Sequence, residues 1–500
     1  MNNQDIKKSI VKDSFWSFVS TSISRLGGII FTIILARFLM PENYGIYALV
    51  LSSATIFYTF ADLGINQTII RYLSFAVKRK KKQISSYYWY LLKVKLILAS
   101  CSSLLLLLLS YPLSHFVFKN PLLFYPLVAA SFYIFVLALD MFHSMVFYAI
   151  QKVNYLSMRE LFSQISRIIL AILIFYFVAQ PNQVIGIFLS LILSSLFLIL
   201  FSLYYIKILI PNLFEKLKEK IDKGRVRRFV GFLTIASISS VFFSHIDSIM
   251  IGLFLPTEYV GYYGAAFSLV LGAMGFASFP IVPLLPLFTK INKSKKELAF
   301  NRAIKYLSII TIPAIFGLLA LGKYIIKIFY GFSYLPAALP LYFLSFLLFP
   351  AVSVGIFLSL FSAEEKPQIF AKLIVIACLL NIFLNFILIK LFLRISPDWA
   401  IAGAAIATVI SWFFYLTASI IAIKKEFNFS MSFYPIIKPL ISSIIMFLVL
   451  FYSLRFINNT NLFIGIFAIL LGILVYFSVL FIIRGITRED IALLKLVIKK

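Results

Sequence analysis

Along most of the chain, apolar positions come in runs of about twenty residues or more, separated by short polar intervals. Strands would alternate every two residues and soluble helices would carry an apolar stripe; these runs are apolar on every side. A helix crossing the hydrocarbon of a bilayer needs roughly 20 such residues. The pattern predicts fourteen spans, over 14–38, 45–66, 87–111, 122–150, 158–178, 183–206, 229–255, 259–289, 303–322, 337–362, 368–390, 400–423, 434–456 and 461–483. Two polar segments read instead as amphipathic helices on the membrane surface. One is 212–228, where Leu213, Leu217 and Ile221 share a face among lysines and arginines. The other is 486–500, where Thr487 and Asp490 form a capping pattern before Ile491, Leu494 and Ile498.

Composition sharpens this into an all-α integral membrane protein: 62% of the 500 residues are hydrophobic, 13% are charged, and the mean hydropathy is +1.02. A net charge of +28 on a soluble chain would suggest nucleic acid, but here the excess belongs to loops. With the N-terminus inside, 35 of the 46 lysines and arginines fall in inner segments and only seven in outer ones. Both termini are therefore expected in the cytoplasm of a multi-pass cell-membrane protein, with no nucleic-acid partner. Cys101 and Cys378 lie inside apolar runs, and His115, His143 and His245 stand apart from other ligand types, so no metal site or cofactor is expected. No phosphate-binding glycine loop is present.

The chain also repeats itself. A shift of 216 positions sets Phe38 and Leu39 on Phe254 and Leu255, Glu42 on Glu258, Gly45 on Gly261 and Tyr47 on Tyr263, each time in an outer turn between two spans. Six spans separate the copies, so they have the same orientation. The expected plan is an N-terminal lobe over 1–211, a linker over 212–228 and a C-terminal lobe over 229–424. Spans 13 and 14, over 425–485, and the 486–500 tail lie outside the repeat. Parallel repeats of this kind build transporters whose substrate path runs between the lobes.

The stretch Ser14 to Ser74, with its ARFLMPENYGIYAL turn and ADLGINQTIIRY segment, resembles the opening of the polysaccharide repeat-unit flippases of the multidrug, oligosaccharidyl-lipid and polysaccharide exporter superfamily. The fourteen-span plan resembles that family over the whole chain. The resemblance implies two lobes around a cavity that opens alternately to each side. It also implies a polyprenyl-pyrophosphate-linked oligosaccharide as cargo, membrane lipids around it, and a polysaccharide polymerase and glycosyltransferases as working partners.

Charges inside spans are costly, about 2.5–3.5 kcal/mol each on insertion scales, and are the first candidates for function. Arg25 lies mid-span among Ser17, Ser20, Thr21, Ser22 and Ser24, and is the leading candidate for a contact to phosphate. The related lipid-linked peptidoglycan precursor flippases also use a basic residue in this part of their first helix. Those relatives have further basic residues in the helices matching spans 7 and 8, whereas span 7 here has His245 and Asp247. Asp62 reads as a cavity residue or as an ion pair or cap at an inner helix end. Asp140 and His143, at i and i+3, read as a proton relay or as an interhelical hydrogen bond. Arg167, beyond Gln164 and Glu160, reads as part of an inner-facing structural pair. Asn381 and Asn385 share a face of span 11. Pro280, Pro283 and Pro286 must bend span 8, as a gate or as a fixed kink. Two rival classes remain: an ion-coupled drug exporter of the same superfamily, for which Asp62 and Asp140 would supply carboxylates, and a membrane polymerase or glycosyltransferase. The second would need a large outer domain, and every outer loop here is about 15 residues or fewer.

Overall fold

The computed structural model describes residues 3–79, 83–214, 223–278, 284, 288, 291–364, 366–429, 432, 434–455 and 462–486. Among these residues, eleven helices are long and apolar enough to cross a membrane, or twelve if a bent pair is one span. The first is a double length, Val19–Val77, that bends midway, and an apolar 17-residue piece, Ile238–Phe254, is shorter than the rest. Counting these as spans is consistent with fourteen. The protein is an all-helical multi-pass membrane protein.

The helices fall into two compact units. Unit 1 comprises Met1–Gly264 and Ile374–Lys390, and unit 2 comprises Ala265–Leu373 and Leu391–Lys500. Unit 1 is built from α1 (Asn3–Asp62), α2 (Ile65–Arg79), α3 (Ile84–Pro112), α4 (Phe124–Ala149), α5 (Val153–Phe177), α6 (Gln183–Leu209), α7 (Lys223–Phe254) and the start of α8 (Thr257–Ala277). The outer turn expected between spans 1 and 2 is not a loop. Helix continues on both sides of Met40, whose backbone alone turns out (φ 62, ψ 168). Pro41 is the cause, because its ring excludes the helical conformation for the residue before it. A second break ends α1 at Leu63 and Gly64, both at positive φ (41 and 80), where the glycine supplies a conformation that side chains resist.

Helices α1 and α5 run side by side in register. The Ser157 hydroxyl donates to the Trp16 carbonyl (2.7 Å), Gln164 lies over Gly27, Arg167 over the Phe31 ring, and Phe38 stacks on Phe175 with centroids 4.8 Å apart. An aromatic and aliphatic core joins α2, α3 and α4 around Tyr72, Tyr88, Phe142 and Phe147.

Unit 2 contains the rest of α8, α9 (Lys293–Phe329), α10 (Ala338–Ser345), α11 (Leu348–Ala363), the ends of α12 (Pro367–Leu393), α13 (Pro397–Phe427), α14 (Tyr434–Arg455) and α15 (Leu462–Ile482). The span expected over 337–362 is broken into α10 and α11, bent by 43°. Pro350 explains the bend: it lacks the N–H that would reach the carbonyl of Phe346, and its ring crowds that carbonyl. Phe300, Phe357, Phe361 and Phe427 form one core, and Leu321, Met446, Leu450 and Tyr476 form another, where the last span pair packs on α9. Pro280, Pro283 and Pro286, residues 215–222 of the 212–228 linker and the 487–500 part of the tail lie outside the described residues.

Candidate functional site

In unit 1 the two copies of the repeated turn pack on each other. A side chain at Gly45 would overlap the carbonyl of Thr257, and one at Gly261 would overlap the carbonyl of Pro41. Pro41 and Thr257 are themselves 216 positions apart, as are Gly45 and Gly261. The contact is therefore reciprocal, helix backbone on helix backbone, as small residues allow in lipid.

Arg25 lies on the face of α1 turned away from α5. Thr21 and Arg25 are exposed, and a Cβ placed on Gly28 would meet nothing within 4 Å. Positions 21, 25 and 28 make one open stripe, while Gly27 and Phe31 face α5.

The in-span carboxylates are each met by protein. Asp62 accepts from the Lys95 ammonium at 2.7 Å and from the Asn66 backbone N–H at 3.3 Å, so it is at once an ion pair and a cap on α2. Lys95 is fully buried, also reaches the Asn66 side-chain carbonyl (3.3 Å), and lies 5.5 Å from the Tyr58 ring. Asp140 does not meet His143. It pairs with Arg159 of α5, both fully buried, and Arg159 also reaches Glu160 at 3.2 Å. His143 instead faces the Tyr88 hydroxyl at 3.1 Å and the Leu139 carbonyl at 2.7 Å.

Asp247 accepts from the Tyr263 hydroxyl (2.6 Å) and from the Asn385 amide (2.7 Å), and that amide also reaches the Asn381 carbonyl at 3.0 Å. Two of the expected site residues, Asp247 and Asn385, thus meet in one buried cluster with Tyr263 from the second turn, and the buried Asn381 joins it through its main-chain carbonyl. His245 lies beside Ser52, 3.4 Å between Nδ1 and Oγ. Among the described residues no three His, Cys, Asp or Glu side chains gather as metal ligands would.

Sequence reasoning passed over Lys95, Arg159 and Tyr263. Lys95 had a signal, an unexplained cation in span 3 at an inner depth similar to that of Asp62 in span 2. Arg159 has none, because beside the polar interval before α5 it resembles any other loop cation.

Over 94% of this chain and 98% of the other, the fold matches the structure titled "Lipid II flippase MurJ, inward closed conformation", with a TM-score of 0.72 and 19% identity. It matches an inward-facing multidrug resistance MATE family transporter of the MOP superfamily less closely, with a TM-score of 0.57 at 14% identity over 83% of this chain and 95% of the other. In sequence, 262 residues are 30% identical to the "Probable low-salt glycan biosynthesis flippase Agl15" of Haloferax volcanii, a match covering 50% of this chain and 52% of that protein. That match spans about half the length of the curated relative. The family model described as "Polysaccharide biosynthesis protein" matches residues 10–292, more than half of the chain, and the chain belongs to that family.

Proposed function

We propose that this protein moves a polyprenyl-pyrophosphate-linked oligosaccharide from the cytoplasmic to the outer leaflet by alternating access, for cell-surface polysaccharide assembly. The observation that carries the reading is the division of charge in unit 1. The in-span aspartates Asp62, Asp140 and Asp247 are met by protein donors, Asp140 and Asp247 in buried places, and the cation Arg25 is exposed on α1. An open cationic stripe suits an anionic head group. A drug exporter acting on cations would need a carboxylate in that position.

Two lobes, 1–211 and 229–424, would alternate about the Gly45–Gly261 crossing, with 212–228 as their cytoplasmic link and both termini in the cytoplasm of the cell membrane. Arg25 would bind phosphate through charge-assisted hydrogen bonds, stronger in a low dielectric than in water. Asp247, Asn381, Asn385, His245, Asp62 and Asp140 would shape the polar interior, and Pro280, Pro283 and Pro286 would set a bend or gate in span 8. No ion need be coupled. A pyrophosphate leaving a cell that is negative inside gains about 2.3 kcal/mol per charge per 100 mV. A polysaccharide polymerase and glycosyltransferases would take and supply the cargo.

The test is movement of a polyprenyl-pyrophosphate-linked oligosaccharide across proteoliposomes by wild type, Arg25→Ala and Arg25→Lys. Arg25→Ala should abolish it at normal protein abundance, and Arg25→Lys should recover part, because a point cation still binds phosphate without the bidentate fork. Unchanged movement by Arg25→Ala would remove Arg25 from the path. Export of cationic drugs without movement of the lipid-linked sugar would favour the exporter class.

A further inference from the structure

Two lysines of α3, two residues apart, have opposite surroundings. Lys95 is buried and paired with Asp62, whereas Lys93, on the opposite side of the helix, is exposed and has no ion pair, hydrogen bond or ring contact among the described residues. The sequence near it offers no partner. Between Asp62 and Asp140 the chain has no acidic residue, and those two aspartates are taken by Lys95 and Arg159.

Lys93 belongs to an exposed stripe of α3 that runs through Trp89, Ile97, Leu104, Leu108 and Tyr111 at helical spacing. No exposed residue between Lys93 and Tyr111 carries a hydroxyl, amide or carboxylate, as befits a surface against lipid tails. The helix has 29 residues, Ile84–Pro112, about 43 Å of length against about 30 Å of hydrocarbon. With the excess shared between its ends, Trp89 stands near the hydrocarbon boundary and Lys93 about one turn inside it. Five basic residues, Lys78 to Lys82, precede α3 and mark that end as the polar one. A tryptophan at the boundary, and a lysine with its stem on apolar surface and its head drawn back to the polar layer, are residues that anchor a helix there. A charge held at this depth needs a counter-ion. On a lipid-facing stripe, the lipid is the neighbour that can bring one.

We infer that Trp89 and Lys93 form a seat for the phosphate of an anionic membrane lipid, in the leaflet at the Ile84 end of α3. That leaflet is the cytoplasmic one in the orientation proposed above. The Lys93 ammonium binds the phosphate as a point cation, and the Trp89 ring lies against the glycerol region. The occupant is a lipid of the bilayer and not the cargo, because the stripe has one cation for a small charged head group and no side chains to meet the hydroxyls of an oligosaccharide.

The test uses the full chain in proteoliposomes with Trp89 as its one tryptophan, Trp16, Trp399 and Trp412 being replaced by Phe. Bromine on the acyl chains of a touching lipid quenches Trp89, so brominated phosphatidylglycerol and brominated phosphatidylcholine report their relative affinity at that place. Phosphatidylglycerol should be favoured about fivefold, the size that one surface lysine contributes. Lys93→Gln should bring the ratio to about one, and Lys93→Arg should keep it, because the charge is what binds. Salt near 1 M, with a Debye length of about 3 Å, should shrink it. Lys119→Gln, at the far end of α3, should leave it unchanged. The seat is overturned if the two lipids quench alike beside Lys93, or if Lys93→Gln keeps the preference. A polyprenyl pyrophosphate added in trace amount should not displace phosphatidylglycerol; if it does, the place belongs to cargo and the assignment falls. Should the tryptophan replacements prevent folding, retention of the two lipids in native mass spectra of wild type and Lys93→Gln decides by the same criterion.

Discussion

Tyr47 and Tyr263 stand at the same place in two copies of one turn, and their surroundings carry opposite charge. Tyr263 donates its hydroxyl to the buried carboxylate of Asp247. Tyr47 packs its ring on Phe188, 5.5 Å between centroids, within reach of the Arg167 cation. The glycines that bring the turns together are alike in both copies, because the close approach of two backbones admits nothing larger. The charges differ because nothing in the backbone contact constrains them. Elsewhere in unit 1, charge is met by charge, at Asp62 with Lys95 and Asp140 with Arg159. Beside the second turn, Asp247 is met by neutral donors.

This contrast can be broken by substitution. The largest effect should come from Arg159→Ala, which strands Asp140 in a buried site. A loss of about 3–5 kcal/mol is expected, read as a collapse of folded protein in membranes, with recovery in the Arg159→Ala/Asp140→Ala double variant. If the single variant is as stable as wild type, the pair does not support the first copy. Next, Gly45→Ala and Gly261→Ala should each destabilise by about 1–3 kcal/mol from overpacking, and by similar amounts. A thermal unfolding midpoint lowered by only one of them would end the reading of a reciprocal crossing.

The tyrosines should respond unequally. Tyr263→Phe leaves Asp247 short of a donor and should cost about 1–2 kcal/mol, whereas Tyr47→Phe should stay within about 0.5 kcal/mol of wild type. Equal losses in denaturant titrations would erase the difference between the copies. The smallest effect should be Gly28→Ala on the open stripe. With nothing within 4 Å of the new methyl group, it should stabilise α1 by about 0.5–1 kcal/mol through helix propensity. Destabilisation there would mean that the stripe is closed.

What the sequence made readable follows from where the physics is local. Apolar runs of bilayer length mark the helices because a helix satisfies its own backbone hydrogen bonds in lipid, and the 216-residue shift marked the two turns that meet. The pairing of charges was less legible. Arg159 falls only a few residues into α5, where a count of loop cations takes it for a solvated charge, yet the fold buries it against Asp140. Arg167 was read against Gln164 and Glu160 of its own helix, but its ring contact comes from Phe31, 136 positions away, and spacing along one helix carries no such information. The break at Phe346 and Leu347 was announced by Pro350 and hidden by the unbroken apolar run around it. Asp247 and Asn385, 138 positions apart, were each singled out as in-span polar residues, but their hydrogen bond is a property of the fold.

The register between α1 and α5 also has a meaning in time. Each contact along that seam joins residues about 136 to 141 positions apart, from Trp16 with Ser157 to Phe31 with Arg167. At ribosomal speeds of about 5–20 residues per second, α1 waits roughly 7–28 s for its neighbour to be made. Through that interval Gly27 and Phe31 face whatever the insertion machinery or the bilayer offers, while Asp62 and Lys95, 33 positions apart, have already had time to meet. Unit 1 would therefore form the Asp62–Lys95 pair first, the α1–α5 seam later, and the Asp247–Asn385 hydrogen bond, which waits for residue 385, after both.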